Sequence, residues 1–343
     1  MTTDTTFGFG MVTAQRHPDD PRTDTEIYAD TIDLCAYAED LGFDAVWLSE
    51  HHFVDDGYMP SLLPVAAAVA MRTSRVRIGT GIMVAPLHDP LRLAEDAATV
   101  DLLSAGRLVL GIGAGYRDEE FAGFGKPKER LGAALDRTLD VLRDAWGPGV
   151  VEADEHTAPV SVTPKPHRPG GPPIWIGART SGGIRRTARR ADGLLAARVS
   201  PEELREQVSS LLTMAHEAGR EPGDLEVGVH TPVFAWPHDA WDRIEPYIHY
   251  SEWKYKDMGG TPYGQRDGDR ARPPAISPRT REILRSTALV GTPEEVAAGV
   301  RRYRDAVEGV PFHFIPRLYW PGMPPALQRE AMACFAEHVL PLV

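Results

Sequence analysis

A chain of 343 residues, 42% hydrophobic and 25% charged, suits one large globular domain or two ordinary ones. Its net charge of −12, from 37 basic against 49 acidic residues, disfavours a polyanion partner, so nucleic acid is set aside. The sequence shows no apolar run of about 18 residues to span a membrane, no signal-like start, and no metal or redox spacing at Cys35 and Cys334, which makes a cytoplasmic protein with reduced thiols the expectation.

The hydrophobic pattern predicts eight strands, over 7–11, 45–50, 76–84, 108–115, 173–178, 193–198, 226–235 and 312–318. In the third, Val76, Ile78, Thr80, Ile82 and Val84 alternate and are expected on one side. Helices are predicted at about 24–41, 61–73, 91–104, 129–146, 182–191, 201–219, 293–308 and 325–339. The first has Ile27, Thr31, Leu34, Ala38 and Leu41 at helical spacing, a capping box in Thr23 and Glu26, and Gly42 just past its end. Eight strands, each followed by a helix, favour a (β/α)8 TIM barrel of residues 1–343 over an open doubly wound sheet.

Two stretches break the rhythm. Residues 147–173 are rich in proline and glycine and are expected to be irregular. Residues 245–290 form a long insertion after strand seven. There Tyr247, Tyr250, Trp253 and Tyr255 suit either a pocket lining or a buried helix face. Glycines 259, 260, 264 and 268 and the charged run 266–272 predict a mobile lid.

Chemistry concentrates at strand ends. "WLSEHHF" (47–53) places His51 and His52 at the end of the second strand, where a barrel builds its active site. Neighbouring strand residues face opposite ways, so the pair cannot easily grip one metal, and no HExxH, HxH or cysteine cluster exists. No metal is therefore expected, and one histidine is expected to act as a base or hydrogen-bond donor. "GIGAGY" (111–116) is a poor dinucleotide fingerprint, but its glycines let a flat ring or a phosphate approach backbone. "GARTSGG" (177–183) joins a strand to a helix, with an arginine, two hydroxyls and backbone donors, and reads as an anion site. The basic stretch 179–190 that follows reads as a solvated helix face.

Together, "GFDAVWLSEHHF" (42–53) and residues 76–125, 166–193, 290–303 and 320–341 resemble the bacterial luciferase-like superfamily of flavin-dependent monooxygenases and F420-dependent oxidoreductases. The resemblance implies a barrel holding reduced FMN (FMNH2) at the strands' C-terminal ends. The implied enzyme oxidises a small organic substrate with O2 through a flavin C4a-hydroperoxide, fed by a separate NAD(P)H:flavin reductase. The alternatives are F420-dependent hydride transfer on the same scaffold and, more remotely, a non-catalytic flavin-binding protein. A homodimer is left open, and no membrane partner is expected. His51 matches the family's active-site histidine, and Gly81–Ile82 the place of a non-proline cis peptide under the isoalloxazine ring. The implied cofactor-binding set is Thr80, Gly81, Ile82, Gly113, Gly115, Tyr116, Gly177, Arg179, Thr180, Ser181 and Gly182, with Arg179 and Thr180 on the phosphate. One position departs: Ala114 stands where luciferase proper has a phosphate-binding arginine, so Arg179 or Arg117 would supply that charge, and room is left for a deazaflavin.

Overall fold

The computed structural model describes residues 5–152, 158–260 and 272–343. Its strands are β1 (Thr5–Val12), β2 (Ala45–Leu48), β3 (Arg77–Thr80), β4 (Met83–Val84), β5 (Leu108–Gly113), β6 (Ile174–Gly177), β7 (Gly193–Ala197), β8 (Glu226–Ala235), β9 (Leu289–Gly291) and β10 (Phe312–Arg317). All pair in parallel in the order β10-β1-β2-β3-β5-β6-β7-β8, and β8 returns to β10, which closes the barrel. β3 and β4 form one interrupted stave, and β9 extends the end of β8, so eight staves make the ring.

Helices α1 (Asp24–Asp40), α2 (Leu62–Arg72), α3 (Pro90–Leu103), α4 (Asp118–Gly123), α5 (Leu131–Trp146), α6 (Ser181–Arg190) and α7 (Pro201–Glu217) are followed by α8 (Ala240–Gly260), α9 (Pro278–Thr287), α10 (Pro293–Arg304) and α11 (Pro325–Cys334). α1 begins at the expected Thr23–Glu26 capping box and buries Ile27, Thr31, Leu34 and Ala38. Such a box satisfies two of the donors that a helix start leaves orphaned.

The lumen is packed solid. Met11, Trp47, Val109, Trp175, Leu195 and Ile315 meet there, and Ile82 packs against them. Trp47 demands space opposite: a Cβ on Gly79 would lie 2.4 Å from its ring, so glycine is what the neighbouring stave can hold. A second cluster between sheet and helices contains Ile78 and Leu110.

Three expectations are corrected. β2 ends at Leu48 rather than residue 50, which leaves both histidines on the following loop. The third predicted strand breaks at Gly81–Ile82, whose peptide is cis as the resemblance implies. Ile82 consequently joins the lumen, while Ile78 stays in the outer core. The 245–290 insertion is largely helical where described: α8 buries Ile244, Ile248, Ser251, Lys254 and Met258 along one face. That stripe has helical spacing, and its aromatic and charged content masked it. The lid expected over 245–290 holds α9 and most of α8, and its residues 261–271 lie outside the described residues.

Candidate active site

At the C-terminal end of the staves opens a cleft of about 580 Å³. Of the sequence-derived residues, His51, Gly81, Ile82, Gly115, Tyr116, Gly177, Arg179, Thr180 and Gly182 line it. Thr80, Gly113 and Ser181 do not. The Thr80 hydroxyl turns beneath the wall and donates to the Gly111 carbonyl at 2.7 Å. A side chain on Gly113 would strike Ile82, and Ser181 is exposed on α6.

His51 is gripped from one side. Its Nδ1 lies 2.8 Å from Glu120 Oε1. The same carboxylate oxygen accepts from the His52 amide at 3.0 Å and from Arg117 Nη1 at 2.9 Å. Burial would raise the Glu120 pKa, but His51, the His52 amide and Arg117 together hold it below the ordinary carboxylate value. With Nδ1 turned to an ionised carboxylate, the neutral ring carries its proton there and presents the Nε2 lone pair. Rings of Tyr58, Tyr255 and Tyr116 pack edge-on to the imidazole at 4.8, 5.6 and 5.9 Å. Hydroxyls of Ser49, Tyr58 and Tyr255 form a chain beside it, at 2.8 and 2.7 Å. Of the four aromatics singled out in the insertion, Tyr255 reaches the cleft. Tyr250 instead donates to Asp56 in the interior.

His52 turns the other way. Its Nε2 lies 3.2 Å from Glu50 Oε1, and His88 Nε2 lies 3.4 Å from Glu50 Oε2. Burial opposes charge on Glu50, yet the two imidazoles and the Val84 amide hold its pKa at about 2. Among the described residues, Glu50, His52 and His88 are the group whose donor types could suit a metal, with ligand atoms within 4.8 Å of one another. The carboxylate already bridges both rings within ion-pair range.

Opposite His51 lies the start of α6. Thr180 is its N-cap, the side-chain oxygen accepting from Gly183 N at 3.3 Å. Arg179 is exposed beside it. Arg186, also on the wall, is held by Asp136 through two bonds of 2.7 and 3.0 Å. Arg117 cannot supply the missing phosphate arginine. It is buried among Glu119, Glu120 and the carbonyls of His52 and Met258.

Sequence reasoning missed Glu120, Glu50 and His88 as partners. The acidic run at 118–120, opening a helix just after a barrel strand, was the available signal for the first.

Residues 7–307 match the family model of the luciferase-like monooxygenases. The oxygenase component of flavin-dependent trigonelline monooxygenase from Acinetobacter baylyi is 31% identical over 175 residues, 50% of this chain and 49% of that protein. The first curated relatives are spanned over 44% to 66% of their length. The crystal structure of monooxygenase RslO1 from Streptomyces bottropensis superposes with a TM-score of 0.80 at 26% identity, covering 98% of this chain and 99% of that one. The oxygenating constituent of 3,6-diketocamphane monooxygenase from Pseudomonas putida, solved with FMN, shares the fold with a TM-score of 0.76 at 17% identity, covering 99% of each. With the family match running from β1 to just beyond α10, the chain belongs to the luciferase-like monooxygenase family.

Proposed function

We propose that the protein is a monooxygenase that uses reduced FMN and O2 to oxidise a small organic substrate, with the flavin supplied by a separate NAD(P)H-dependent reductase. One observation carries this reading. A single cleft is lined by Gly81 and Ile82, by the start of α6 at Arg179 and Thr180, and by a carboxylate-anchored histidine. The residues fit the cofactor's shape. A Cβ on Gly182 would meet nothing within 4 Å, so the space beside the helix start is open. Backbone N–H groups of the first turn of α6, the Arg179 guanidinium and the Thr180 hydroxyl would hold the phosphate. Gly81 and Ile82 would support the ring. Bound reduced flavin supplies the electrons that activate O2.

The chain's own part is placement and proton control. His51 Nε2, its tautomer fixed by Glu120, takes or returns a proton at the cleft. Tyr58, Tyr116 and Tyr255 surround that ring with aromatic surface, which limits water. An oxygenase-component relative and an FMN-bound fold neighbour support the reading, and so does the geometry.

Ala114 removes one cation from the phosphate end and keeps F420 as the alternative cofactor. Anaerobic titration with FMNH2 and reduced F420 decides between them. FMNH2 should bind more tightly, and air should then be consumed in the presence of FMNH2. Tighter binding of reduced F420 would replace monooxygenation by hydride transfer.

A further inference from the structure

Arg317, the last residue of β10, follows Ile315 on the strand's inner face, since alternate residues share a side. It therefore stands one layer above the lumen plug, on the floor of the barrel mouth. It is 2% exposed. Its Nε and Nη2 have no hydrogen-bond partner among the described residues.

Among the described residues no ion pair neutralises it. The guanidinium lies 5.4 Å from the ring of Tyr255, which also lines the cleft, and 5.8 Å from that of Trp320. Contacts with aromatic faces are weaker than the cost of burying an unpaired charge. Arg198 covers Tyr255 at 4.7 Å, but it is matched by Glu252, its Nη1 donating to Oε2 at 3.0 Å. His230 sits on the inner face of β8, opposite Ile315 in the sheet. Burial, then the charges of Arg198 and Arg317, push its pKa down to about 3, so it stays neutral and its Nδ1 is unpartnered.

The edge left unpartnered is specific. In this same molecule Arg22, Arg186 and Arg281 each use Nε and Nη2 together to hold the two oxygens of one carboxylate: Asp20, Asp136 and Glu245. That edge offers parallel donors at the spacing of a carboxylate's oxygens. Arg317 presents it buried, between aromatic rings, one of which, that of Tyr255, lines the cleft.

We infer that Arg317 is a specificity residue whose Nε/Nη2 edge binds the carboxylate of the substrate, and that the substrate is an organic acid. The inference rests on the reading of the cleft as a small-molecule oxidation site and names the class of molecule it takes. Tyr255, shared by the cleft wall and the guanidinium, would pack against the acid's body.

The test compares benzoate with benzamide, and acetate with acetamide, by calorimetry on the FMN-loaded protein, on Arg317→Met and on Arg317→Lys. Benzoate should bind at least tenfold more tightly than benzamide. Arg317→Met should abolish that preference with FMN affinity unchanged, and Arg317→Lys should keep part of it. In arginine-labelled wild type, the Nε–H resonance of Arg317 should shift with benzoate and not with benzamide, a readout that needs no variant to fold. Equal or absent binding of acid and amide, a preference that survives Arg317→Met, or an unmoved Nε–H resonance would each overturn the inference. Failure of FMN to bind would instead remove the monooxygenase reading, since the acid–amide comparison can be repeated without flavin.

Discussion

Glu120 Oε1 gathers three donors at 2.8–3.0 Å, from His51, the His52 amide and Arg117. A buried carboxylate so surrounded stays ionised and fixes the imidazole it faces. His51 then has one nitrogen committed to that carboxylate, and in the proposed reading the other serves the reaction. Its replacement should be functional rather than structural: His51→Ala should lower turnover by about 10²–10⁴-fold, the usual range for a general acid or base, with FMN still bound. Normal turnover in that variant, measured once a substrate is found, would end the assignment. His51 stood out in the sequence because Glu50 and His52 flank it just beyond an apolar strand. Glu120 did not. It comes from a six-residue helix, 69 positions away, and no local pattern ties the two together.

At the scale of elements, periodicity recovered all eight staves and eight of the eleven helices among the described residues, missing α4, α8 and α9, because burial on one face imposes periods of 2 and 3.6. It failed where a side chain's neighbours are not sequential. The third strand reads as continuous alternation, yet the chain switches Ile82 into the lumen. The α8 stretch reads equally as a pocket lining or a buried helix face, and the apolar stripe that decides it seals against Phe234 and Trp320. The start of α6 is expected from the sequence to be an anion site, since a strand-to-helix turn with glycines exposes several amides. Thr180 adds its cap, and Arg179 stands exposed beside it without a carboxylate partner among the described residues. Solvent reduces such a contact to about 1 kcal/mol, roughly fivefold in affinity. Arg179→Ala should therefore weaken FMN by about that factor and leave riboflavin, which lacks the phosphate, nearly unchanged. Fluorescence titration with both ligands checks this, and parallel losses would make Arg179 merely structural.

Across the whole molecule, the barrel's tightly filled lumen sets a limit on acid stability. His313, on the inner face of β10, is 1% exposed and packs against Trp47 and Trp175. Its Nε2 accepts the Trp47 indole N–H at 2.9 Å, and its Nδ1 meets the Thr6 hydroxyl. Protonating Nε2 would break the first bond and bury a charge. Burial, with a smaller contribution from the nearby Arg77 cation, lowers its pKa from 6.5 to about 3. Between those two values the unfolded chain binds a proton that the folded chain refuses. The stability this group protects is complete above about pH 6.5 and drains away as pH falls toward 3. The slope approaches about 1.4 kcal/mol per pH unit once the unfolded histidine is fully protonated. From pH 6 to pH 5 the loss should be about 1 kcal/mol, in a window still above most carboxylate titrations. Urea unfolding of the wild type and of His313→Gln at both pH values isolates the effect, because glutamine can accept the indole bond but does not titrate. The variant should start less stable and lose about 1 kcal/mol less on acidification. Equal losses in the two proteins would mean that His313 is already protonated in the fold, or that the lumen admits water to it.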